Sequence, residues 1–165
     1  MKLAVVSLLA VMAQVSLAVY QVGDSVAEMC WQTEMAEKAV CLGEPKDSVK
    51  VLIYNSGWCP GCNRELHDLA LRVSEFSGQP VAFYSLSAEG WTRGVPADAK
   101  FLNEWRAKHH IPFPVAISPR DVGKKFFEPP IYIPNIAVID RQGRLAFKAI
   151  EPSIDELFVE IRKLL

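Results

Sequence analysis

Two cysteines separated by two residues form the clearest chemical signal in the sequence. They lie in the segment Trp58-Cys59-Pro60-Gly61-Cys62, between an apolar run and an amphipathic stretch. At a helix N-terminus, free backbone N–H groups and the positive end of the helix dipole lower the pKa of a thiol. Because the thiolate is the reactive species in disulfide exchange, we predict that Cys59 is the nucleophile. Cys62, in the first helical turn, is the predicted resolving thiol.

The residues around these cysteines fit the same interpretation. Pro60 has no N–H to lose in the first helical turn, and Gly61 permits the close approach of a partner chain. We expect Trp58 to shield the site and to offer a contact surface, with a plain core position as the alternative. For the pair as a whole, the alternatives are a static disulfide or half of a zinc site. A position between a strand and a helix favours exchange chemistry.

The elements around the motif alternate between strand and helix. Val49–Asn55 is the apolar, β-branched run typical of a strand covered on both faces. Residues 62–76 place apolar side chains at helical spacing. Similar patterns predict strands at 81–86, 115–117, 135–140 and 145–150, a loop at 88–96 and helices at 97–109, 119–127 and from 154 onward. This order predicts an α/β fold, and a hairpin at 141–143 makes the sheet mixed, with helices on both faces.

Two of the predicted helices begin with capping signals. Ser118 precedes Pro119, which favours Ser118 as the N-cap and Pro119 as the first helical residue. Ser153 and Glu156 form a capping-box pattern that predicts the start of the last helix.

The first eighteen residues differ in composition from the rest. They contain 14 apolar residues and one charge, Lys2. This run is shorter than the roughly 20 apolar residues of a membrane span, and Ser16 and Ala18 are the small residues that precede a signal cleavage site. We therefore expect a signal peptide at 1–18 and one domain at 19–165, with an anchor through residues 3–19 or a buried first helix as alternatives. Export predicts a periplasmic or other extracytoplasmic location, where disulfides persist.

Length and charge exclude several classes of protein. A chain of 165 residues fits one compact domain. With 18 basic and 19 acidic residues, the chain has no general basic face for nucleic acid. A hydrophobic fraction of 50% and a charged fraction of 22% also exclude wholesale disorder. We expect a monomer that needs no cofactor, holds no metal and binds no nucleic acid.

Cys30 and Cys41 form a second pair, separated by ten residues. On one continuous helix they would lie roughly 16 Å apart, too far for a disulfide. The segment between them nevertheless has a helix-favouring composition. A disulfide across this loop would stabilise the fold by about 3 kcal/mol in the chain-entropy model. A structural disulfide is the favoured interpretation, and a second redox pair that exchanges electrons with the first pair is the alternative.

The sequence resembles the thioredoxin superfamily, and within it the exported TlpA/ResA-like thiol–disulfide oxidoreductases. The resemblance lies in residues 51–62 (VLIYNSGWCPGC), 131–140 (IYIPNIAVID) and 140–143 (DRQG). A weaker match is Val22-Gly23-Asp24. The resemblance covers about residues 22–165 and implies a thioredoxin-like fold.

The resemblance also implies roles for residues outside the motif. Pro134 corresponds to the cis-proline that faces the two cysteines, and the backbone of Ile133 would pair with an extended substrate peptide. Cys30 and Cys41 would lie on opposing strands of an N-terminal β-hairpin, and a short helix within their connection is the alternative. Thioredoxins carry a buried acidic residue six residues before the first cysteine, which helps to deprotonate the resolving thiol. Ile53 occupies that position here, so that the proton of Cys62 would pass to water or to Glu65.

The predicted function is that of an exported protein-disulfide reductase or isomerase, whose substrates are protein disulfides or thiols. A membrane electron donor would re-reduce it, as is often the case in the family. A disulfide-donating oxidase would use the same residues. The alternative from another class is a metal-binding or metallochaperone module built from the cysteines. A peroxidase of the peroxiredoxin type is a third hypothesis, which the absence of a Pro-x-x-x-Thr-x-x-Cys motif disfavours.

Overall fold

The computed structural model describes residues 19–35 and 38–165. The predicted signal peptide at 1–18 lies outside these residues, as do Ala36 and Glu37, on which the predicted short helix between Cys30 and Cys41 would fall. In the part of the chain that is described, no helix has the length and apolar character needed to cross a membrane.

Five strands form the central sheet, in the order β5-β4-β3-β6-β7. They are β3 (Val49–Asn55), β4 (Val81–Ser87), β5 (Val115–Ile117), β6 (Asn135–Ile139) and β7 (Leu145–Ile150). Strands β4 and β5 continue the sheet parallel to β3, whereas β6 and β7 are antiparallel to their neighbours. The prediction of a mixed sheet is therefore confirmed, and β3 is its central strand.

The helices cover both faces of this sheet, as predicted. They are α1 (Pro60–Arg72), which continues into a 3-10 turn at Val73–Phe76, α2 (Ala99–Lys108), α3 (Arg120–Phe126) and α4 (Ile154–Arg162). Apolar residues of α1, α2 and α4 pack on one face around Val51 and Ile53. Residues of α3 and the N-terminal segment pack on the other face around Leu52 and Tyr54. Adjacent residues of β3 thus point into different cores, which explains why its sequence is apolar throughout.

The cap of α4 was predicted correctly, because Ser153 accepts a hydrogen bond from the backbone N–H of Glu156 at 3.1 Å. The prediction for α3 was wrong by one residue. Pro119 is the N-cap and the helix begins at Arg120. The hydroxyl of Ser118 instead lies 3.4 Å from the carbonyl of Pro119. Ser118 is buried, one residue before the observed N-cap.

A two-stranded hairpin precedes the sheet, as the family resemblance implied. Strands β1 (Cys30–Gln32) and β2 (Ala39–Cys41) are antiparallel, and Cys30 lies opposite Cys41. An isolated bridge from Thr33 to Ala116 ties this hairpin to the outer strand of the main sheet.

Candidate active site

The first turn of α1 contains the two cysteines of the motif. Cys59 is the N-cap, and its sulfur accepts a hydrogen bond from the backbone N–H of Cys62 at 3.1 Å. Pro60 is the first helical residue, where a missing N–H costs nothing. The two sulfurs are joined in a disulfide. On reduction, the same N–H and the helix dipole would stabilise a thiolate at Cys59.

The two sulfurs differ in accessibility. Cys59 retains 6% of its surface exposed, whereas Cys62 retains 1%. Of the two, Cys59 is therefore the more accessible to a partner. The roles of nucleophile for Cys59 and resolving thiol for Cys62 remain predictions.

The loop before β6 faces the disulfide. The Ile133–Pro134 peptide bond is cis, as the family resemblance implied. The carbonyl oxygen of Ile133 lies 3.9 Å from the sulfur of Cys59. A Cβ atom at Gly61 would lie 3.8 Å from Cδ of Pro134 and 3.4 Å from a carboxylate oxygen of Glu151. The structure thus brings the motif and the predicted substrate-binding loop together.

Trp58 is half-buried beside Cys59 and is held by a residue from another loop. Its indole N–H donates to Glu89 at 2.6 Å. Glu89 also accepts from the backbone N–H of Gly94 at 2.9 Å and pairs with Arg120 at 2.5 Å. Burial alone would raise the pKa of Glu89, but these two hydrogen bonds and the positive charge of Arg120 outweigh it and lower the pKa. Glu89 is therefore an ionised anchor that fixes the ring of Trp58.

Glu65 lies one helical turn after Cys62, on the first turns of α1. Both of its carboxylate oxygens are buried and have no hydrogen-bond partner in the described protein. Burial, and to a smaller extent the negative charge of Glu151, together raise the pKa of Glu65 to about 7. Residues three apart on a helix are neighbours, so that a carboxyl group able to carry a proton near neutral pH lies one helical turn from Cys62.

Cys30 and Cys41 form the second disulfide, across the hairpin. The sulfur of Cys30 lies 3.9 Å from a carboxylate oxygen of Glu28. Among the described residues, Glu28 and these two cysteines are the one group whose potential metal-binding atoms lie within 4.8 Å of one another. The four cysteines thus form two separate disulfides, and neither pair shares a cluster with the other.

Several residues near the motif were missed by the sequence analysis. Glu89 and Arg93 come from the loop after β4, Arg120 and Lys124 from α3, and Glu151 from the end of β7. Glu151 has a φ of 51°, a left-handed conformation that non-glycine residues adopt infrequently. None of these residues carries a local sequence signal, because they meet the motif only through the fold.

Comparison with known proteins places this site in a family. The family model of the AhpC/TSA family matches residues 22–148. Among the curated proteins, no sequence matches this chain significantly.

Solved structures share the fold at low sequence identity. The chain is similar to a thiol:disulfide interchange protein of the thioredoxin family from Chlorobium tepidum, with a TM-score of 0.71, 16% identity and coverage of 86% of this chain and 96% of that one. It is also similar to a peroxiredoxin-like protein from Aquifex aeolicus, with a TM-score of 0.71, 19% identity and coverage of 90% of both chains.

A third similar structure is a secreted Mycobacterium tuberculosis disulfide oxidoreductase described as homologous to E. coli DsbE, with a TM-score of 0.64, 18% identity and coverage of 82% of this chain and 96% of that one. These likenesses confirm the predicted thioredoxin-like fold. Family and fold together support an oxidoreductase activity. Since the family model spans most of the sequence, from Val22 to Lys148, the chain belongs to the thioredoxin-like AhpC/TSA family.

Proposed function

We propose that this chain is an exported thiol–disulfide oxidoreductase that reduces or isomerises disulfides in protein substrates. The observation that carries the proposal is the position of Cys59. Its sulfur caps a helix N-terminus and lies 3.9 Å from the carbonyl of Ile133, next to cis Pro134. A helix N-terminus activates a thiolate, and the backbone beside cis Pro134 is the proposed site at which a substrate peptide pairs.

In the proposed reaction, the thiolate of Cys59 attacks one sulfur of a substrate disulfide. A mixed disulfide forms, and the other substrate sulfur leaves as a thiolate that takes up a proton. Cys62 then loses its proton and attacks the sulfur of Cys59. The second substrate thiol is released, and the protein keeps the Cys59–Cys62 disulfide. Two electrons have moved from the protein to the substrate.

Glu65 is the proposed proton carrier in this sequence. Its pKa of about 7 lets the carboxyl group exist in both protonation states near neutral pH. Ile53 provides no acid from the strand side, so that Glu65, one turn from Cys62, is the nearest candidate on α1. In its ionised form it would accept the proton of Cys62 as that thiol attacks.

The proposed substrate contacts surround the exposed edge of Cys59. Trp58 contributes an aromatic surface fixed by Glu89. Ile133 contributes backbone groups, and Gly61 lets the substrate backbone pass close to the first turn of the helix. Pro60, which is exposed, forms the outer edge of this surface. All of these groups come from one chain, in keeping with action as a monomer.

The return of the protein to its dithiol form requires a donor of two electrons. For an exported protein we propose a membrane-bound dithiol donor. Export rests on the signal pattern at 1–18 and is supported by one similar structure whose protein is described as secreted. An oxidase would run the same steps in reverse, and the reduction potential of the Cys59–Cys62 pair distinguishes the two directions.

A peroxidase is the second candidate function, because one similar structure is described as peroxiredoxin-like. Against it, Ser56 and Leu52 stand where the peroxiredoxin motif Pro-x-x-x-Thr-x-x-Cys places threonine and proline. Consumption of hydrogen peroxide by the reduced protein, compared with its reduction of insulin, discriminates the two functions.

The test of the proposed function is insulin reduction by the protein and two variants. Cys59→Ser should lower the rate to that of the dithiothreitol background, because no attacking thiolate remains. Cys62→Ser should instead accumulate mixed disulfides with insulin, visible by mass spectrometry, since the second step is blocked. A normal rate in Cys59→Ser would contradict the proposed nucleophile.

A further inference from the structure

A cavity of about 520 Å³ opens beside Cys59. It is bounded by the end of β3, the loop after β4, the first turns of α3 and the segment before Pro134. Trp58 and Ile133, two of the proposed substrate contacts, line it together with Cys59 itself. A peptide that reacts with Cys59 and pairs with the backbone of Ile133 therefore passes its mouth.

The charged groups that line the cavity are mostly basic. They are Arg93, Arg120 and Lys124, against the single described carboxylate Glu89. Glu89 is already occupied by the indole of Trp58, the backbone of Gly94 and Arg120. The cavity therefore offers positive charge and no free acidic group among its described lining residues.

The three basic groups differ in how they are held. The guanidinium of Arg93 lies 4.2 Å from the centroid of the Trp58 ring. Arg120 pairs with Glu89 but keeps 60% of its side chain exposed. Lys124 is exposed, and within the described part of the chain it has no ion-pair partner within 4 Å. Lys124 is thus the cation most available to a ligand.

Aromatic and apolar side chains provide the remaining surface. Tyr132 keeps 60% of its surface exposed although it is next to Ile133. Ile131 and Leu86 also line the cavity. Such a wall can pack the aliphatic part of an acidic side chain while the basic groups bind its carboxylate.

We propose that this cavity binds an acidic side chain of the substrate close to its reactive cysteine, so that the protein prefers peptides in which Asp or Glu flanks that cysteine. This inference rests on the proposed thiol–disulfide exchange and names its substrate class. Neither Glu65 nor Glu151 lines the cavity, so that a bound acidic side chain would not contact either of them.

The test uses three short peptides, each with one central cysteine in a symmetric disulfide. They carry glutamate, glutamine or lysine two residues before and two residues after the cysteine. Reduced protein is mixed with each, and its oxidation is followed by the change in intrinsic tryptophan fluorescence, to which Trp58 beside Cys59 contributes. We expect the second-order rate constant for the glutamate peptide to exceed that for the lysine peptide by about tenfold at low salt, and the ratio to fall in concentrated salt.

Charge reversal at adjacent residues of α3 provides the matched comparison. Lys124→Glu leaves two basic groups against two acidic groups in the cavity and should bring the ratio of glutamate to lysine rates close to one. Lys125→Glu changes the net charge equally, but Lys125 does not line the cavity, and this variant should keep the ratio of the unchanged protein. Equal effects of the two substitutions would show a general charge effect and overturn the inference. Equal rates with all three peptides would also overturn it, whereas no reaction with any peptide would contradict the proposed exchange function itself.

Discussion

The two disulfides of this protein differ in exposure, and the less exposed pair is the one with the features of a reactive site. Cys30 is exposed and Cys41 is half-buried, whereas Cys59 and Cys62 retain only 6% and 1% of their surface. The buried pair nevertheless has the features of a reactive site, because a backbone N–H and a helix N-terminus face Cys59. The exposed pair has a carboxylate of Glu28 near it instead.

From the local charge around each pair we infer that the Cys59–Cys62 disulfide is the one that exchanges. A thiolate at Cys59 is stabilised by the N–H of Cys62, so that reduction of this disulfide is favoured. A thiolate at Cys30 would lie next to the negative charge of Glu28, which disfavours it. The hairpin disulfide instead joins two directly opposed residues of β1 and β2 and closes a chain loop, as a structural crosslink does.

The largest expected difference in stability concerns removal of the hairpin disulfide. The double substitution Cys30→Ala and Cys41→Ala should lower the free energy of unfolding by about 3 kcal/mol, because the unfolded chain regains the entropy of the open loop. The double substitution Cys59→Ala and Cys62→Ala opens a much shorter loop and should cost about 2 kcal/mol. Urea unfolding of both variants measures the two values. A larger loss at the active-site pair would contradict the hairpin disulfide as the more stabilising crosslink.

The second prediction concerns the carboxyl group beside the reactive pair. Burial raises the pKa of Glu65 to about 7, so the folded state favours the protonated form. This contribution to stability is present below about pH 4.5 and is lost as the pH rises to about 7 and above. The free energy of unfolding of Glu65→Gln should therefore be about 2–3 kcal/mol higher than that of the unchanged protein at pH 8. At pH 4 the two should differ little.

Urea unfolding at the two pH values provides this measurement, with Glu128→Gln as the control. Glu128 is exposed, and its substitution should leave stability close to that of the unchanged protein at both pH values. A Glu65→Gln variant that gains nothing at pH 8 would contradict a buried, unpartnered carboxyl group next to Cys62.

The smallest predicted effect concerns the support of Trp58. Glu89→Gln removes the ion pair with Arg120 while an amide oxygen can still accept from the indole. We expect a loss of about 1 kcal/mol in stability and a change in the Trp58 contribution to the fluorescence, taken as the difference from Trp58→Phe, because the anion beside the indole becomes a neutral amide. Glu28→Gln, beside the hairpin disulfide, provides the comparison and should leave this contribution unchanged. An unaltered Trp58 contribution in Glu89→Gln would contradict an ionised Glu89 at the indole.

The elements that position the cysteines follow from local sequence. The apolar run of β3 predicted a strand covered on both faces, and Cys59 before Pro60 predicted a helix start. The cap at Ser153 was also predicted correctly, since a capping box acts within four residues. The start of α3 was missed by one residue, because the pattern of serine followed by proline does not distinguish which of the two is the N-cap.

The surroundings of the site could not be predicted in this way. The sequence does not indicate that Glu89 contacts Trp58, 31 residues earlier, since two loops must first be brought together by the sheet. The basic cavity combines residues of the loop after β4 with residues of α3. The raised pKa of Glu65 likewise depends on burial and on Glu151, at the far end of the chain. Such features depend on tertiary packing and carry no periodic signal.

A redox titration with both pairs followed separately tests the central claim most directly. The protein is equilibrated over a series of thiol–disulfide buffers, free thiols are alkylated, and each pair is quantified by mass spectrometry. We expect the Cys59–Cys62 pair to be reduced at a potential at least about 60 mV less negative than the Cys30–Cys41 pair, a hundredfold difference in equilibrium constant. If the Cys30–Cys41 pair is reduced first, or if the two pairs titrate together, the division into a reactive and a structural disulfide is wrong.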